Sequence, residues 1–230
     1  MKLFRYFLSI SLMLQIFFAS AQTQEFQDKY PNGNVRSEGI YERGFEDGLW
    51  KYYYEDGTLQ EEANYKMGKF HGSVFRYHPN GKLMVEGYFK NDKQDSIQRT
   101  FTADSILVEQ GLWAKGVKTG EWDYFYASGD TMMIENHLDS VVMMLEYFTS
   151  SGEHTLKKGN GTVADHFENG RLKSITNYKN GLPDGKFEEY FSGGSVRISG
   201  NYIQGKKDGE WVDLFPTGKT KKSPLIVKVF

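Results

Sequence analysis

Gly57-Thr-Leu-Gln-Glu-Glu-Ala-Asn-Tyr65, running on through Gly68-Lys-Phe-His-Gly72 to Val74-Phe-Arg-Tyr77, is one full unit of the pattern that decides this fold. Leu59, Ala63 and Tyr65 stand at even offsets from Gly57, so in an extended strand they share one face. Asp56-Gly57 ahead of them is a tight-turn signal, because short hairpin turns need positive φ. The unit returns every 24 residues, with turn glycines at Gly33, Gly57, Gly81 and Gly129, and later at Gly170, Gly194 and Gly218. A fixed period of this length predicts stacked repeats. The expected fold is all-β: an elongated array of antiparallel β-hairpin repeats forming a twisted open sheet.

The columns of the repeat give the packing. Two residues after the turn glycine lie Val35, Leu59, Leu83, Leu107, Leu172 and Val196. Six after it lie Gly39, Ala63, Gly87, Gly111 and Gly200, and eight after it Tyr41, Tyr65, Phe89, Trp113, Tyr178 and Tyr202. A small residue inside a strand leaves room for a large neighbour. Two residues beyond a second set of glycines (Gly48, Gly72, Gly120, Gly185 and Gly209) come Trp50, Val74, Trp122, Phe187 and Trp211. We therefore expect Trp or Phe rings to sit over the gaps of adjoining strands. Gly44 to Gly48, with its counterparts Gly68 to Gly72 and Gly205 to Gly209, reads as the longer connection of each hairpin. With strands ~4.8 Å apart, the array should extend roughly 75–80 Å.

The pattern also breaks. Asp92, Ser96 and Ser105 replace glycines without disturbing the frame. Thr131, Glu135 and His137 replace the apolar, small and aromatic residues of their columns, and Gly152 to Gly170 covers only 18 residues. The chain divides accordingly into a leader (1–21), an N-terminal repeat block (22–130), a divergent, shortened segment (131–161), a C-terminal block (162–221) and a capping strand (222–230). The leader reads as a signal peptide: Lys2 and Arg5, an apolar stretch from Tyr6 to Phe18, and Ala19-Ser20-Ala21 as the cleavage site.

Composition narrows the function. Without Lys2 and Arg5, 26 basic residues face 30 acidic ones, which does not suit nucleic acid or anionic lipid as a partner. The chain has no cysteine, so disulfides, thiolate nucleophiles and Cys-based zinc sites are excluded. The histidines His71, His78, His137, His154 and His166 occupy different columns and lack metal-ligand spacing. Asp47, Asp184 and Asp208 precede glycines and are expected to hydrogen-bond within their turns. No phosphate loop or nucleophile elbow is present. The expectation is no catalytic residue, no cofactor and no metal. Tyr52, Tyr124 and Phe148 share an offset and are candidates for a ligand-facing ladder, for sugar rings or an extended peptide. The alternative is that they fill the sheet surface.

The unit quoted first resembles the MORN-repeat variant of bacterial proteins grouped with the YwqK antitoxin family. Asn169-Gly-Arg-Leu-Lys-Ser-Ile-Thr-Asn-Tyr178 with Gly181-Leu-Pro-Asp-Gly185, and Gly205-Lys-Lys-Asp-Gly209-Glu-Trp211, carry the same resemblance. It implies β-hairpin repeats in scaffolding, protein binding or toxin neutralisation. Together with the leader it points to a non-enzymatic module in the periplasm or outer cell envelope, released after Ala21 and bound to a protein partner. A carbohydrate-binding or membrane-associated envelope protein is the alternative. Membrane contact fits less well, since polar residues on both strand faces leave no continuous apolar band.

Overall fold

The computed structural model describes residues 23–221 and 225–227. The leader lies outside the described residues, as does most of the expected capping strand. The N-terminal strands are β1 (Thr23–Lys29), β2 (Val35–Glu42), β3 (Phe45–Tyr53), β4 (Leu59–Lys66), β5 (Lys69–Tyr77) and β6 (Leu83–Lys90). The middle holds β7 (Lys93–Phe101), β8 (Leu107–Ala114), β9 (Val117–Phe125), β10 (Thr131–Leu138), β11 (Val141–Phe148) and β12 (His154–Lys157). The last six are β13 (Asn160–His166), β14 (Leu172–Lys179), β15 (Leu182–Tyr190), β16 (Val196–Ile203), β17 (Lys206–Asp213) and β18 (Leu225–Val227). Each strand pairs antiparallel with the next, so the chain is a single meander. Pairing is unbroken through the divergent segment 131–161, and β18 covers the outer side of β17. The described residues contain no helix.

Two kinds of turn alternate along the two long edges. At one edge a three-residue loop closes each hairpin. Tyr30 accepts from Gly33 N and donates to Asn34 O, with Gly33 at φ 94°, and the same bonds recur at Tyr54, His78 and Tyr126. This is the turn followed by a left-handed residue that three-residue hairpins favour. At the other edge the loop has only two residues, both left-handed: Arg43–Gly44, Met67–Gly68, Lys115–Gly116 and Gln204–Gly205. The expected five-residue connection from Gly44 to Gly48 is therefore corrected. Strand β3 already begins at Phe45, and Gly48 lies inside it. Between Glu38 and Ile40 the partner register moves from Lys51 to Asp47, so Gly48 (φ 70°) belongs to a bulge carrying two extra residues. Bulges of this kind bend a strand and raise its twist.

A single sheet has little interior, and only eight apolar residues are buried among those described. Trp50, Ala63, Val74, Trp122 and Trp211 follow the small-residue column, and Tyr147, Leu156 and Val163 form a separate cluster at the shortened unit. Ala63 lies directly between Trp50 and Val74 in the ladder and is fully buried. The ring of Trp50 covers Gly39, where a Cβ would come within 2.3 Å of it. Trp122 covers Gly111, and Trp211 covers Gly200, at 2.3 and 2.2 Å. In all three units the indole Nε1 donates to the carbonyl of the residue after the glycine, Ile40, Leu112 or Asn201, at 3.1–3.2 Å. The ring is thus seated by shape and tied by its one polar atom, which keeps a buried donor satisfied.

Candidate functional site

The face that carries the tryptophans also carries Tyr52 and Tyr124, two residues beyond Trp50 and Trp122 on the same strands. Neither hydroxyl is free. The Tyr52 and Tyr65 hydroxyls share a hydrogen bond of 3.1 Å, and Tyr124 donates to Glu135 Oε2 at 3.0 Å. Burial raises the pKa of both Tyr52 and Tyr124; for Tyr124 the Glu135 charge adds to it.

Phe148 does not complete their row. It pairs with His154 as Tyr53 pairs with Leu59 and Phe125 with Thr131, so it occupies the place after Tyr52 and Tyr124. The cause is a shorter bulge. Between Ile134 and Glu135 the partner register moves from Glu146 to Met144, one extra residue instead of two. Tyr147 takes the row position and is buried, while Phe148 stacks on His154 with ring centroids 4.1 Å apart.

Around Tyr124 a chain of polar contacts crosses β7 to β10. Thr100 Oγ1 donates to Glu109 Oε1 at 3.5 Å, and Lys118 Nζ donates to Glu109 Oε2 (3.3 Å) and to the Tyr124 hydroxyl (3.2 Å). His137 Nε2 lies 3.2 Å from Glu135 Oε2, and Lys118 Nζ sits 3.6 Å from the centre of the Trp122 ring. Glu135 and His137 are the departures seen in the columns. Where other units place a small residue and an aromatic, this one places a carboxylate and an imidazole beside Trp122. Among the described residues no group of three or more His, Asp or Glu side chains is arranged to hold a metal ion.

The opposite face differs. Leu49, Ile97 and Leu112 neighbour Trp50, Gln98 and Gly111 in unbulged ladders, so they point away from the tryptophans. They are 47%, 39% and 47% exposed, and Ile40 and Tyr88 beside them are exposed too. Cross-strand ion pairs run along the same face, Lys51 with Glu62 at 3.4 Å and Arg99 with Glu86.

The turns contact one another from unit to unit. Gly68 N donates to Glu46 O, Gly116 N to Gln94 O and Gly205 N to Pro183 O, at 2.8–2.9 Å. Asp47 Oδ2 accepts from Met67 N and Asp184 Oδ2 from Gln204 N, so these carboxylates link successive turns instead of closing their own. At the other edge the hydroxyls of Tyr30, Tyr54 and Tyr126 donate to Tyr53 O, Tyr77 O and Phe148 O, and His78 Nε2 lies 2.9 Å from Phe101 O. This column stands three residues before the turn glycine, where its ring is hard to tell in sequence from the turn itself.

A family model described as MORN repeat variant matches residues 46–67, 70–91 and 160–180. Three of the chain's repeats match that variant. Each matched stretch begins in the second strand of one hairpin, runs through the three-residue turn and ends at or next to the two-residue turn that follows. No curated protein matches the chain. Among solved structures, a chain of "Crystal Structure of TcdB2-TccC3-Cdc42" is 12% identical over 84% of this chain and 13% of its own length. Its TM-score is 0.19, too low to transfer either fold or role.

Proposed function

We propose that the protein is a non-catalytic binding or scaffolding array of the bacterial cell envelope, related to YwqK-type proteins, that engages a protein partner. The observation that carries this is the open sheet face bearing Leu49, Ile97 and Leu112. Three large aliphatic side chains are held in water there by a rigid ladder, beside a row of ion pairs. Apolar groups in such numbers on one face, rimmed by charge, favour association with a complementary protein surface. The MORN-variant repeats are compatible with that use. On the tryptophan face Tyr52, Tyr124, Glu135 and Lys118 are tied to one another or to neighbouring side chains, which supports a packing role for them.

Affinity capture of the tagged, exported protein from its own cells tests the reading. The Ile97→Lys/Leu112→Lys double variant should lose the captured partner while keeping the parent's circular dichroism spectrum. Equal recovery of the partner with the double variant would refute it.

A further inference from the structure

The shortened unit builds a second surface. Strand β12 has four residues where β4 and β10 have eight, and β12 pairs with β13 without any bulge. Four residues lost from one strand and two from the absent bulge account for the shortfall between Gly152 and Gly170. The two-residue turn of this hairpin is drawn inward. Gly159 N donates to Leu145 O (2.7 Å), Gly181 N to Gly159 O (2.8 Å), and Met144 N to Gly181 O (2.9 Å), a bond that skips a whole hairpin. A Cβ on Gly159 would come within 2.3 Å of Gly181 N. That edge of the sheet is pinched.

On the opposite edge the turns at 149–152 and 167–170 flank a hollow. Tyr30, Tyr54 and Tyr126 bridge such turns, Tyr126 to Phe148 O, whereas Thr102 keeps its hydroxyl within its own turn, accepting from Asp104 N and Ile106 N. At this place the ring is replaced by Thr149, whose hydroxyl stays in its own turn, accepting from Glu153 N at 3.0 Å and sharing a 2.9 Å bond with Ser151 Oγ. The result is a trough of about 510 Å³ walled by Tyr126, Tyr147, Ser150, Ser151, Asp165 and His166. It shares Ser150 and Ser151 with a hollow of about 400 Å³ reaching Asp130, and His166 with one of about 470 Å³ reaching Lys173. Asp165 accepts only from Ser174 Oγ (3.2 Å), and no hydrogen bond reaches the His166 ring among the described residues.

We propose that this trough is a binding site for consecutive sugar rings of a neutral glycan. Its walls combine the half-buried ring of Tyr126 and the edge of the buried Tyr147 with hydroxyls, a carboxylate and an imidazole, and a polyol needs donors and acceptors set against an apolar ring. Asp130, Asp165 and Glu168 line its three sections against the single cation Lys173, so an anionic ligand meets a net like charge. An extended peptide cannot add as a strand, because β12 and β13 are paired on both sides. The site is independent of the face bearing Leu112.

Saturation-transfer NMR and calorimetry with cellohexaose, laminarihexaose and mannohexaose test it on the mature chain. At least one of the three should bind. Ser151→Trp, which fills the trough from an exposed turn, and Asp165→Ala should each weaken binding about tenfold or more. Tyr124→Phe and Leu112→Lys should leave it unchanged. Absence of transfer from all three oligosaccharides, or undiminished binding by a folded Ser151→Trp variant, overturns the proposal and leaves the protein-docking face untouched.

Discussion

A methyl group placed on Gly111 would lie 2.3 Å from Cδ2 of Trp122, whereas on Gly129 it would meet nothing within 4 Å. Gly111→Ala must therefore displace a fully buried indole, and we expect it to cost about 2–3 kcal/mol, within the range for overpacking. Gly129→Ala strains only a left-handed backbone and should cost ~1 kcal/mol. Trp122→Ala should cost ~3–5 kcal/mol. Urea unfolding midpoints rank the three. The reverse substitution stabilises: Ser105 is held at φ 69° where other units place glycine, so Ser105→Gly should raise stability by ~0.5–1 kcal/mol and with it Tm. Tyr53 gives a pH signature. Burial, then its hydrogen bond to Glu38, pushes its pKa up from 10.0 to about 12, and burial with Glu62 does the same for Tyr77. The folded chain then holds these protons after the unfolded chain has lost them. Stability contributed by the two rings is complete below pH 10 and falls away as pH rises towards 12. Absorbance at 295 nm should show tyrosines that ionise only together with unfolding, and Glu38→Gln should shift part of that step to lower pH.

At the scale of strands and turns, Gly44 and Gly48 look alike in the sequence and do different work. Gly44 is the second residue of a tight turn, and Gly48 is a left-handed residue inside a bulge. Spacing alone does not separate them, because a five-residue loop and a two-residue turn followed by a bulge consume the same length of chain. The hairpins, their period and the indole-over-glycine columns were legible because each depends on residue type at fixed even offsets. Phe148 falls one residue out of the row because Met144 stands where other strands have a left-handed bulge residue, and the bulge there is one residue shorter. The partner-turn role of Asp47 escaped for a different reason, since hydrogen bonding between units is set by twist. The pinch offers a test. Gly159→Ala and Gly129→Ala both carry a side chain at positive φ, but only Gly159 faces backbone, 2.3 Å away. Gly159→Ala should be the worse by about 1–3 kcal/mol, with faster amide exchange confined to β11 to β15.

Taken whole, the molecule is one layer thick and its contacts are almost all between neighbours. Strands ~4.8 Å apart give a ribbon roughly 80 Å long and ~27 Å wide. Small-angle scattering should return a radius of gyration near 25 Å for such a ribbon, where a globule of this length would give ~17 Å. The tail strand covers β17 at one end, while β1 has no strand on its outer side among the described residues.

The meander fixes how such a ribbon answers force. Its two ends lie at opposite extremes of an axis perpendicular to every strand, so tension applied there loads each ladder one hydrogen bond at a time, as a zipper is opened. The chain should yield at low force in successive steps of one hairpin, each releasing roughly 80 Å of contour. Such an object, anchored at both termini, would serve as an extensible tether whose slack is metered out unit by unit.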